Sequence, residues 1–192
     1  MDQTLLTAAF RKVILANELS NDLAAALKFS LAPGGTSGYS FGVCQLDVSN
    51  NPAAALCLRA CGFTPEEIEG LRAKTADVKS LDLKLAAAST TVERFDDIQL
   101  NSCITRSQTI LSTFHIKPAD DTALLAVADY NNQYFLSAFN KPGYLVNYLF
   151  KLERPFTAID VLNFKLNDTP YGKSHPSDCK RRYDNLVRIM QS

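Results

Sequence analysis

Apolar positions set the rhythm of this chain, and for most of its length the rhythm is helical. Leu5, Leu6, Ala9, Phe10, Val13 and Ile14 recur at steps of three and four, one apolar face of an amphipathic helix over about residues 4–17. Asn17, Ser20 and Asn21 weaken its continuation, which places Glu18 at or just beyond the helix end. Residues 22–32 carry mixed signals: LAAALK favours helix and KFSLA favours strand, so a short helical turn followed by a strand fits both. Tyr39, Phe41 and Val43 then alternate with Ser40, Gly42 and Cys44, the period of a strand. Pro52 opens a helix that Gly62 ends. Thr64-Pro65-Glu66-Glu67 opens another, with Thr64 and Glu67 spaced for a capping box, running to about Ala73.

Residues 75–88 read as a linker or a short helix. Val92, Phe95, Ile98, Cys103, Ile110, Leu111 and Phe114 predict one long helix over about 90–114, with a break near Asn101 as the alternative. Asp120 or Asp121 caps a further helix to about Phe139. Helices over 144–152 and 157–166 follow, and residues 169–178 read as a loop into a last helix capped by Ser177. The sum is a mainly helical α+β fold in one domain spanning residues 1–192, with one small antiparallel sheet near residues 28–48.

The stretch Pro33–Asn51 interrupts the helical rhythm and holds the most specific signal. Gly34, Gly35 and Gly38 permit tight turns, and Asp47, Asn50 and Asn51 close the stretch with one carboxylate and two amides. An ordinary surface hairpin accounts for this composition; so does a platform that offers polar groups to a polar ligand. Phe41-Gly42-Val43-Cys44-Gln45-Leu46-Asp47 resembles the F-G-L-M-Q-V-D run of goose-type lysozymes and, more loosely, the G-L-M-Q run of lytic transglycosylases. The lead-in Ser37-Gly38-Tyr39-Ser40-Phe41-Gly42 resembles that of phage and secretion-system muramidases with a lysozyme-like fold. The C-terminal run Thr169 to Asn185, with His175, Pro176, Asp178, Arg181 and Arg182, is weakly similar to the end of phage-type lysozymes.

The resemblance implies cleavage of the β-1,4 glycosidic bonds of peptidoglycan, with Glu18 as general acid and Asp47 as the second carboxylate. It implies that Gln45, Ser40 and Tyr39 hold the sugar, with no cofactor and no metal. Glycosidases use such carboxyl pairs because one group must protonate the leaving oxygen while the other serves the oxocarbenium-like centre. Asp22 is the other candidate acid: its spacing to Asp47 is closer to the family's, but the family uses Glu. Tyr130 and Asn131 sit in a run of Asp129, Tyr130, Asn131, Asn132, Gln133 and Tyr134 that is both polar and aromatic. It reads either as a solvated turn or as a second wall for a sugar, since amides bond hydroxyls and tyrosines pack on pyranose faces.

Composition narrows the setting. Twenty basic and twenty acidic residues cancel, leaving no electrostatic footprint for nucleic acid or an anionic membrane. No apolar run approaches transmembrane length, and the N-terminus, interrupted by Arg11 and Lys12, does not read as a secretory signal. A wall-degrading enzyme of this kind would be made in the cytoplasm and reach the periplasm or exterior through phage lysis, injection or a carrier. Injection would bring an immunity or inhibitor protein as partner, beside the peptidoglycan strands themselves. The five cysteines lack metal spacing and read as buried thiols, with one disulfide as the oxidising-compartment alternative. Two readings from other classes stand beside the hydrolase: a non-catalytic glycan- or protein-binding module, and an amidase or peptidase pairing Cys44 or another Cys with a His. Arg181 and Arg182 are expected to pair with surface acids, and His175 to act as a loop hydrogen-bonder.

Overall fold

Helix α1 spans Gln3–Leu19 and buries Leu6, Phe10, Val13 and Ile14, while Leu5 faces solvent. It runs two residues past Asn17 for two reasons. Arg181 donates to the carbonyl oxygens of Asn17 (3.0 Å) and Ala16 (3.4 Å), satisfying acceptors that a helix end leaves open. The chain then turns at Ser20 and Asn21, both in the left-handed region (φ 52° and 68°). Glu18 therefore lies in the last turn of α1 rather than beyond it.

The computed structural model describes residues 1–31 and 37–192; Pro33, Gly34 and Gly35 lie outside the described residues. The fold is α+β and mainly α, and the chain divides into two compact units, Glu18–Gln99 and Met1–Asn17 with Leu100–Ser192. In the first unit a 3-10 turn, Leu23–Leu27, leads to strands β1 (Ser30–Leu31), β2 (Tyr39–Phe41) and β3 (Leu46–Asp47), an antiparallel sheet in the order β1-β2-β3. Ser30 pairs with Ser40, and Phe41 with Leu46. The mixed signal of residues 22–32 resolves, over the described residues 22–31, as a helical turn followed by a strand. Behind the sheet stand α2 (Pro52–Ala60), α3 (Pro65–Arg72) and α4 (Val78–Ala87). The Thr64–Glu67 capping box forms, and Gly62 takes φ 83° just past the end of α2. Phe29 meets Tyr39, Phe41 and Phe63 edge-on at centroid distances of 5.6–6.4 Å; each such pair contributes on the order of 1 kcal/mol beyond its buried area.

Helix α5, Ser89–Thr113, is unbroken. Asn101 does not interrupt it because its side-chain oxygen accepts from Thr7 Oγ1 (2.8 Å) on α1 and so does not compete with the helix backbone. The second unit continues with α6 (Asp121–Gln133), α7 (Tyr144–Phe150), α8 (Ala158–Asp168), α9 (Pro170–Ser174) and α10 (Pro176–Met190). Asp120, not Asp121, caps α6. That helix stops at Gln133, short of Phe139, because the following loop is organised around the fully buried Ser137. Its hydroxyl accepts from Gly143 N and is placed to donate to the carbonyls of Ala138 and Lys141, while Arg106 donates to the Ser137 carbonyl at 2.6 Å. The stretch expected as a loop contains α9, started by Thr169 accepting from Gly172 N and by Pro170 at the first position. Helix α10 begins at Pro176 after His175, with no side-chain cap from Ser177. No helix among the described residues is long and apolar enough to cross a membrane.

Candidate functional site

The Phe41–Asp47 run folds as the β2–β3 hairpin, and each of its residues has a definable task. Phe41 and Leu46 are paired, almost completely buried core residues. Gly42 turns the chain at φ 76°, and the amides after it, Val43 N and Cys44 N, donate to the two carboxylate oxygens of Asp96 at 2.9 and 3.0 Å. Asp96 reaches this loop from α5 and is 1% exposed. A Cβ on Gly42 would stand 2.7 Å from Asp96 Oδ1. Gly42→Ala is therefore expected to destabilise by on the order of 2–3 kcal/mol, combining left-handed strain with displacement of a buried carboxylate. A fall in the urea midpoint at unchanged slope would register it.

Gln45 also sits in the left-handed region (φ 50°). Its Nε2 donates to Gly42 O at 3.0 Å and its Oε1 accepts from Ser30 Oγ at 2.8 Å, tying the hairpin loop to β1. Asp47 Oδ1 accepts from Gly38 N, Ser49 N and Asn50 N, and Oδ2 from Asn50 Nδ2 at 2.8 Å. Partial burial pushes its carboxyl pKa up, but these four donors outweigh that and hold it below the ordinary value. Three of these four bonds come from backbone amides converging on Oδ1, so Asp47 first of all organises the turn. Tyr39 is half-buried with its ring edge-on to Phe29, and Ser40 is half-buried opposite Ser30 and Asp47.

Glu18 is half-buried in the last turn of α1. Leu23, in the turn that follows, is 54% exposed. Asp22 is exposed, and its Oδ1 accepts from Ala24 N and Ala25 N as the cap of the 3-10 turn. That capping role occupies the acid that competed with Glu18.

Tyr130 and Asn131 belong to the second unit. Tyr130 is 7% exposed, packed against Tyr134 and Phe164, and Asn131 donates to Cys103 O at 3.4 Å across to α5. Their run is thus largely a packed face of α6 rather than a solvated turn. Its first residue, Asp129, is the centre of a buried charge cluster. Arg182 donates to Asp129 Oδ1 at 2.6 Å, Lys165 reaches Oδ2 at 3.4 Å, and Asn17 donates to Oδ1 at 3.3 Å. Burial alone would push the Asp129 carboxyl up; the Arg182 and Lys165 charges reverse this and hold it at about 2. Arg182 is 4% exposed, so the arginine expected to meet a surface acid meets a buried one. Arg181 bridges Asp178 and the end of α1. His175 does bond locally, with Nδ1 2.8 Å from Ser174 Oγ and its ring stacked on Tyr171.

Pattern reading missed Asp96 and the Asp129 cluster, yet a signal was present. Asp96 falls between Val92 and Leu100 at steps of four, and Arg182 between Cys179 and Leu186, so both occupy buried registers. None of the five cysteines is in a disulfide among the described residues; the Cys44 thiol is buried and donates to Asp96 O. No group of three or more His, Cys, Asp or Glu among the described residues is placed to hold a metal ion. Comparison with known protein families, with characterised proteins and with solved structures returns no match.

Proposed function

We propose that this chain cleaves the β-1,4 glycosidic bonds of peptidoglycan with Glu18 as general acid. The observation that carries the reading is the chain order within one compact unit. A glutamate in the last turn of a helix is followed by a short turn and a three-stranded antiparallel sheet, whose last hairpin holds Gln45 and Asp47. That is the order implied by the resemblance to goose-type lysozymes. Glu18 protonates the leaving oxygen; Tyr39, Ser40 and Gln45 contact the sugar. Peptidoglycan strands are the substrate, and the chemistry needs neither cofactor nor metal. If the chain is delivered as an antibacterial toxin, an immunity or inhibitor protein is its natural second partner.

The bonding of Asp47 favours the transglycosylase form of this reaction over inverting hydrolysis. An inverting enzyme needs its second carboxylate to take a proton from water. Asp47, with most of its acceptor capacity occupied, supports the turn more readily than it supports such a base. In the single-acid route Glu18 gives its proton to the leaving oxygen. The resulting carboxylate then takes the proton of the substrate's own hydroxyl as that oxygen closes on the anomeric carbon. The products carry anhydro ends, one water lighter than reducing ends.

Mass analysis of fragments from purified peptidoglycan tests both forms: anhydro ends are expected, and reducing ends would restore Asp47 as base. Asp47→Asn separates them again. It is expected to lower stability by about 1 kcal/mol through weakened turn bonds while keeping cleavage within about tenfold of the parent. A loss of more than about a hundredfold would mark a true base. Saturable binding to peptidoglycan with no released fragment would instead identify a binding module.

A further inference from the structure

Within the second unit, residues on and beside α6, α7, α8 and α9 line an open pocket of about 520 Å³ whose wall is dominated by aromatic rings. Tyr130, Tyr134, Tyr144, Phe164 and Tyr171 line it, and Asp168 supplies its one charged group. Tyr130 forms the floor at 7% exposed and Tyr144 the rim at 87%. Burial holds the Tyr134 hydroxyl at about 12 and keeps those of Tyr130 and Tyr171 above their ordinary value, so these three carry no charge near neutral pH.

Asp168 is the last residue of the eleven-residue α8, where the helix dipole adds negative potential. It forms no ion pair among the described residues. Lys165 and Arg182 are committed to Asp129, and Lys173 of α9 does not line the cavity. The amide end of α9 is closed by Thr169, which accepts from Gly172 N. The wall therefore combines electron-rich aromatic rings with one carboxylate and no positive group.

We propose that this cavity binds an alkylammonium group, a positively charged nitrogen carried on an apolar body. Ring faces attract such a cation through their quadrupole, and the apolar body gains from leaving water. A neutral sugar would gain from the rings but not from Asp168, and an anion would be repelled. The inference is independent of the wall-cleaving proposal, because it uses no residue of the sheet unit.

The test is a titration of the whole chain with choline and, in parallel, with 3,3-dimethylbutanol, its uncharged carbon isostere. Binding is read from the proton resonances of the ligand methyls. Choline is expected to saturate with an upfield shift, and the isostere to bind about tenfold more weakly. Asp168→Asn and Tyr144→Ala, both at exposed positions, are expected to weaken choline about tenfold without changing the melting temperature. A peptide bearing trimethyl-lysine distinguishes the source: tighter binding than choline means a protein side chain, and weaker binding a free amine. Equal affinity for the uncharged isostere would overturn the proposal. So would saturation by a chitooligosaccharide with no response to choline.

Discussion

Asp129→Ala is expected to cost about 3–5 kcal/mol of stability, the range for breaking a buried ion pair by removing one partner. The change leaves Lys165 and Arg182, 6% and 4% exposed, with no carboxylate between them. It also strips the acceptor from Asn17, whose carbonyl Arg181 caps and whose side-chain oxygen accepts from Asn185. The final turn of α1 would loosen with it. Replacing Asp129, Lys165 and Arg182 together by apolar residues of similar size is expected to recover much of the loss, because no charge is then stranded.

The same cluster gives the protein an acid limb. The Asp129 carboxyl titrates at about 2 when folded, below the ordinary 3.8, so the unfolded chain takes up its proton first as pH falls. The stabilisation is fully present above about pH 4 and is lost on descending towards pH 2. The shift corresponds to about 2 kcal/mol. Urea midpoints measured across that window should fall in the parent and less steeply in Asp129→Asn, where the remaining fall belongs to Asp160, held at about 2 by its bond from Arg154.

How much of this was legible beforehand follows from what local patterns encode. Helix starts were readable wherever capping chemistry is local, as at Thr64–Glu67 and Pro52. The short sheet was readable from alternation at Tyr39–Phe41. Boundaries failed where the deciding group comes from far away in the chain. Arg181 extends α1 from more than 160 residues off, and the Ser137 and Arg106 contacts cut α6 short. The candidate site divides the same way. The hairpin motif was visible as a string, but its use of Gly42, Val43 and Cys44 to receive Asp96 requires the register of α5. Acids and bases on apolar stripes, Asp96 and Arg182 among them, were the readable trace of both buried networks.

Glu18→Gln is the second change with a large expected effect. Glutamine keeps the size and the helix position but cannot deliver a proton to the leaving oxygen. General-acid removal lowers rates by on the order of a hundred- to ten-thousand-fold. Stability is expected to change little, since glutamine keeps the side chain's length and a hydrogen-bonding oxygen and removes a charge near the helix's negative end. The decisive measurement sets the parent and Glu18→Gln side by side on purified peptidoglycan. Soluble fragments are quantified by mass spectrometry, and both proteins are first matched in melting temperature. Fragments from the parent and almost none from the glutamine form are the predicted result. Equal release by a folded Glu18→Gln protein, or none by the parent, would contradict the proposed role of this glutamate.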